Sequence, residues 1–104
     1  MTRRRVVLSP RAEADLERIA VWIAEQGAPL TGLNYVRRIR RLLSKLDEFP
    51  ERGMDYGHVR SGLRVISFER RIVIAIVVRD AHVEIERVFY AGQDWRRALQ
   101  LTDD

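Results

Sequence analysis

Seven consecutive residues, Ile72-Val-Ile-Ala-Ile-Val-Val78, are all apolar. Side chains along a strand alternate between its two faces, so an unbroken apolar run belongs to a central strand that is covered on both faces or shielded by its neighbours. Two further β-favouring runs flank it, Leu63-Arg-Val-Ile-Ser-Phe68 and His82-Val-Glu-Ile-Glu-Arg-Val-Phe-Tyr90. The separators Glu69-Arg70-Arg71 and Arg79-Asp80-Ala81 are of hairpin length, which predicts a three-stranded meander. In the last run Val83 and Ile85 alternate with Glu84 and Glu86, and the register slips at Arg87-Val88. A bulge at Glu86-Arg87 restores it.

The first half has a different period. Arg4 to Leu8 is a short β-favouring stretch, and Ser9-Pro10 is a helix entry with serine as N-cap and proline at the first helical position. Ala12, Leu16, Ile19, Ala20 and Ile23 then recur at spacings of three and four, Gly27 closes this helix and Pro29 prevents its continuation. A second helix is expected over roughly Leu30 to Phe49, with Tyr35, Val36, Ile39, Leu42, Leu43 and Leu46 on one side and Pro50 as its stop. Residues 51–62 contain three glycines and no apolar period, and read as a loop. The expected fold class is α+β: an N-terminal strand and a helical hairpin packed on a mostly antiparallel sheet, completed by the three-stranded C-terminal meander.

At 104 residues, 46% apolar and 33% charged, the chain is expected to form a single folded domain over residues 1–104. The absence of cysteine excludes a disulfide framework, a thiolate metal site and a cysteine nucleophile, and fits the reducing cytoplasm where the protein is expected. No run approaches the roughly 20 apolar residues of a membrane span. The opening Met1-Thr-Arg-Arg-Arg-Val-Val-Leu8 is too short in apolar residues for a secretory signal. The net charge is +4, and of nineteen basic residues all but Lys45 are arginine. That balance suits an acidic protein partner as well as a nucleic acid.

No phosphate loop, metal-ligand spacing or nucleophile motif is present, so no cofactor and no metal are expected. His58 and His82 read as exposed loop or strand-end residues. Arg37, Arg38, Arg40 and Arg41 read first as a solvated helix face and second as an anion-binding one. Arg64, a charge among apolar residues at a strand start, is expected either in a structural ion pair or on a functional anion. Trp22 beside the stripe of the first helix is expected at the core edge. Tyr90 and Trp95 are expected to seal the end of the sheet, with base stacking as the alternative.

The ordered set Val7-Leu-Ser-Pro10 with Ala12 and Asp15-Leu16, then Leu46-Asp-Glu-Phe-Pro50 with Gly53, then Gly62-Leu-Arg64, the apolar run to Val78, and Ile85 and Val88 before Asp94-Trp95 resembles the ParE/RelE superfamily of toxins, closer to the ParE branch. The resemblance covers nearly the whole chain. It implies a small toxin of a type II toxin–antitoxin system, neutralised by a cognate ParD-like antitoxin through an acidic amphipathic segment, and meeting operator DNA only through the antitoxin complex. Members of the ParE branch poison DNA gyrase without catalysis of their own, whereas members of the RelE branch cut messenger RNA on the ribosome. Arg64, His82 and Tyr90 are the residues to which a RelE-like reaction would fall. Candidate contacts to target or antitoxin are Trp22, Arg38, Arg41, Arg64, Tyr90, Gln93 and Trp95. The chain leaves the ParE pattern at Tyr90, where a histidine is frequent, and at Gln93, where an arginine is common. A third reading is a non-toxic module that holds the antitoxin or co-represses.

Overall fold

The computed structural model describes residues 4–48, 50–90 and 92–100. Strand β1 (Arg5–Leu8) leads into helix α1 (Pro10–Glu25), which is followed by α2 (Pro29–Ser44), a single 3-10 turn (Lys45–Asp47) and strands β2 (Met54–Asp55), β3 (Leu63–Phe68), β4 (Ile72–Val78) and β5 (His82–Tyr90). A short helix, α3 (Trp95–Ala98), ends the described chain. The five strands form one sheet in the order β1-β5-β4-β3-β2, with β1 parallel to β5 and every other pair antiparallel. The expected α+β arrangement of hairpin and meander is present, with β4 at the centre.

Three local expectations are corrected. Pro29 begins α2 rather than merely ending α1, because its preset φ suits the first helical position and its missing N–H is not needed there. The second helix stops at Ser44 and tightens into the 3-10 turn, and the expected end at Phe49 lies outside the described residues. Within 51–62, Met54 and Asp55 form a two-residue edge strand opposite Val65 and Arg64, too short to carry a period. The bulge falls where the slipped alternation puts it: Ala75 pairs with Arg87 but Ile76 with Ile85, leaving Glu86 without a partner on β4.

Both faces of β4 are covered, by different parts of the chain. Ile72, Ile74 and Ile76 meet the hairpin stripes, Leu16, Ile19 and Ile23 from α1 and Tyr35, Ile39 and Leu43 from α2. Ala75 and Val77 face the other way, into a smaller cluster with Leu63, Val65, Phe89 and Leu99, with Trp95 against it. The C-terminal turn of helix therefore shields the second face, which explains why a sheet covered by helices on one side can carry an all-apolar central strand. Its entry is capped by Asp94, whose carboxylate accepts from the Arg97 N–H at 3.2 Å.

The hairpin closes tightly at Gly32, buried on α2, where a Cβ would lie 2.8 Å from the Ala20 carbonyl oxygen. Arg40 clamps Glu13 across the two helices with bonds of 2.9 and 3.2 Å, and these bonds hold the Glu13 carboxyl below its ordinary pKa. The β3–β4 turn has Glu69 at φ 51 and Arg70 at φ 64, with Arg71 N–H donating to the Phe68 carbonyl at 3.3 Å. Both residues thus take the left-handed φ that glycine adopts most readily, here without a glycine.

Candidate functional site

Ser9 organises the junction from which the site grows. Its hydroxyl accepts from the Ala12 N–H at 3.0 Å, capping α1, and donates to the Glu86 carbonyl at 2.8 Å, tying the helix entry to the bulge of β5. From there α1 runs along β5, and one turn in it lowers Asp15 onto the strand. Asp15 is 2% exposed. It accepts from Arg87 Nε at 2.8 Å and Nη2 at 3.1 Å, from the Val88 N–H at 2.8 Å and from Arg18 at 2.6 Å. Burial pushes this carboxyl up, but the bonds from Arg87, the Val88 backbone and Arg18 outweigh it, and its pKa lies below the ordinary value.

Beyond this anchor two clefts meet at the end of the sheet. One, of about 600 Å³, lies between α1 and the end of β5 and is lined by Asp15, Arg18, Trp22, Val88, Tyr90 and Gln93 among others. The second, of about 450 Å³, is bordered by Trp22, Tyr35, Arg38, Glu69, Arg71 and Tyr90. Trp22 and Tyr90 belong to both, with ring centroids 4.8 Å apart. Tyr35 meets Tyr90 edge-on at 6.4 Å, and burial, with Glu69 nearby, pushes its phenol up so that it stays neutral. Arg38 lies over the Tyr35 ring at 5.0 Å and bonds Glu69 at 3.0 Å. The result is an aromatic floor bordered by charges of both signs, Arg18, Arg38 and Arg71 beside Glu17, Glu25 and Glu69.

Among the residues singled out from sequence, Trp22, Arg38, Tyr90 and Gln93 are thus brought together. Trp22 is not at the core edge as expected. It is 47% exposed, with its ring against that of Tyr90. Arg41 projects from the exposed side of α2, away from both clefts. Arg64 is held at the β2 edge by the carbonyls of Arg52 and Gly53, at 3.0 and 3.4 Å, and by Asp55 at 3.6 Å, which realises the structural alternative. Trp95 packs against the smaller cluster on the opposite face, with Arg96 over its ring at 4.5 Å. His82 opens β5 opposite Arg5, at the far end of the strand from Tyr90.

Sequence reasoning passed over Asp15 and Tyr35 as site residues. The signal for Asp15 was present, since it lies three residues after Ala12 and four before Ile19, on the buried stripe itself, where a carboxylate needs a partner. Nothing local marked Tyr35, whose ring reaches the cleft only because β5 ends beneath it. Among the described residues no group of three or more His, Asp or Glu is placed to hold a metal, and no helix is long and apolar enough to cross a membrane.

A helical hairpin laid on one face of a mixed five-stranded sheet, with an open aromatic cleft at the sheet end, defines a small two-layer α+β domain. The sequence model of the ParE toxin of type II toxin–antitoxin systems, parDE, matches residues 6–95, and the chain belongs to that family. A solved chain of the chromosomal ParDE TA system from P. aeruginosa superposes with a TM-score of 0.73 at 20% identity, covering 86% of this chain and 97% of that one, a likeness of fold. No curated protein matches the chain.

Proposed function

We propose that this toxin acts by binding DNA gyrase and blocking replication, and that a cognate ParD-like antitoxin silences it by covering the Trp22–Tyr90 cleft. Membership of the ParE family carries the reading. The layout of the alternative catalytic residues supports it over ribonuclease chemistry. General acid, general base and phosphate-binding cation must meet at one scissile phosphate. His82 and Tyr90 instead stand at opposite ends of β5, roughly 25 Å apart at the usual rise per residue, and Arg64 is engaged at the β2 edge.

The cleft suits an antitoxin segment that is both apolar and acidic. Trp22, Tyr35 and Tyr90 offer aromatic surface, and Arg18, Arg38 and Arg71 stand around it together with Glu17, Glu25 and Glu69, Arg18 already bonded to Asp15 and Arg38 to Glu69. An amphipathic acidic segment buries its apolar side on the rings and pairs its carboxylates with the guanidinium groups, which recognise them bidentately. Tyr90 and Gln93, where the chain leaves the family pattern, both lie in this cleft and give it its own partner preference.

Inducible expression with and without the adjacent antitoxin gene tests the whole reading. Growth arrest with a DNA-damage response, relieved by co-expression, and inhibition of supercoiling by purified toxin are expected. Normal growth with unimpaired supercoiling, or cleavage of ribosome-bound message, overturns it.

A further inference from the structure

The end of β5 is an open strand edge whose amides are held by side chains. β1 covers β5 only from Arg5 opposite His82 to Leu8 opposite Ile85, and the chain then leaves the sheet at Ser9-Pro10 for α1. Past the bulge, Arg87 and Phe89 pair with Ala75 and Val73 of β4, and the N–H groups of Val88 and Tyr90 point to the side β1 has vacated. The Val88 N–H donates to Asp15 Oδ2 at 2.8 Å and the Tyr90 N–H to Gln93 Oε1 at 2.7 Å. This half-edge forms one wall of the 600 Å³ cleft, with Trp22 and Arg18 on the other.

The two side-chain acceptors differ in how firmly they sit. Asp15 is buried and fixed by two arginines as well as by Val88. Gln93 is exposed, neutral and bonded to an amide three residues back in the chain. Such a bond is worth little net against any other carbonyl that reaches the same N–H, so Gln93 can be displaced. A strand segment continuing the lane and direction of β1 would place one residue opposite Phe89, with its N–H on the Val88 carbonyl and its C=O on the Tyr90 N–H.

We propose that Gln93 stands in for a backbone carbonyl of the antitoxin, which adds a short extended segment, parallel to β5, to the open half-edge at Val88–Tyr90. The proposal rests on the reading that the antitoxin fills this cleft, and specifies how. A helical occupant has spent its interior carbonyls on its own backbone and has none for Tyr90, whereas an added strand supplies the acceptor and sets alternate side chains against Trp22 and into solvent. The three residues Val88–Tyr90 give roughly 10 Å of edge, enough to fix register.

The variant Gln93→Ala turns the Tyr90 amide into a reporter, because its internal acceptor is gone. In the complete toxin–antitoxin complex, the Tyr90 amide of this variant is expected to exchange with solvent at least roughly tenfold more slowly than in the free variant. Interchain nuclear Overhauser contacts to the backbone of Phe89 are expected with it. The antitoxin should bind Gln93→Ala roughly three- to tenfold more tightly than the native toxin, since it no longer displaces an internal bond. If the antitoxin binds and the Tyr90 amide stays fast, or affinity is unchanged or weaker, strand addition is overturned while the toxin reading stands. Failure of the antitoxin to bind at all overturns the cleft assignment and this inference with it. Slowing of exchange on concentrating the toxin alone identifies a second copy as the occupant and also overturns it.

Discussion

Asp15 shows how one residue can join a helix to a strand. Three of its four hydrogen bonds reach from α1 to β5, two from the guanidinium of Arg87 and one from the Val88 N–H that β1 leaves uncovered, and the fourth comes from Arg18 on α1 itself. Replacing it with asparagine leaves Arg87 without its buried anion, and Asp15→Asn is expected to cost about 3 kcal/mol in urea unfolding near neutral pH. The folded-state pKa is depressed, so the stabilisation is fully present above the unfolded value of about 3.9 and is lost as pH falls through the folded one. The gap between wild type and Asp15→Asn should therefore begin to narrow near about pH 4 and go on narrowing as the pH falls through the folded-state value. A gap that stays constant from neutral pH down through the acid range would mean that the carboxylate's charge is not what stabilises. Arg70 presents the opposite case, a side chain held at φ 64 in the three-residue connection between β3 and β4. Arg70→Gly relieves a left-handed conformation that glycine adopts freely, and should raise stability by about 1 kcal/mol in the same measurement.

At the scale of elements, the bulge and the last helix are the devices that shape the sheet. The bulge at Glu86 turns the end of β5 so that Val88 faces the hairpin core and Phe89 the smaller cluster, and it also aims the Val88 and Tyr90 amides at the cleft. The alternation of Val83 and Ile85 with glutamates made this shift legible, because only an extra residue brings Val88 back to the buried face. The cover on the other face was not legible. Four residues of helix carry no period, and Leu99 acquires its role by folding back onto Ala75 and Val77. Leu99→Ala is expected to destabilise by about 2–4 kcal/mol, as for a buried leucine elsewhere, although it lies close to the end of the described chain. A loss below about 0.5 kcal/mol would show that the second face does not depend on this cover.

Across the whole molecule, core and cleft are separable. Trp22 contributes to the cleft from the outside of the fold, so Trp22→Ala should shift unfolding by less than about 1 kcal/mol while weakening antitoxin binding by about 2 kcal/mol, or roughly thirtyfold, in calorimetry. Equal losses in stability and binding would place this ring in the core after all. In the proposed function, the cleft shared by Trp22, Arg38, Tyr90 and Gln93 is the surface offered to the antitoxin.

Sequence alone determined the strands of the meander, the two amphipathic helices, the Ser9 cap and the bulge, because each is written in local period or in the stereochemistry of single residues. Only the tertiary structure decided where the candidates went. Arg64 found carbonyls and Asp55 nearby, Trp95 went to the opposite face, and Trp22 was left half in solvent on Tyr90. Which face a side chain takes follows from its own strand or helix, but what it meets there depends on segments tens of residues away. The cleft exists because β1 stops at Leu8 while β5 runs on to Tyr90, a difference in length between two strands that neither reveals by itself.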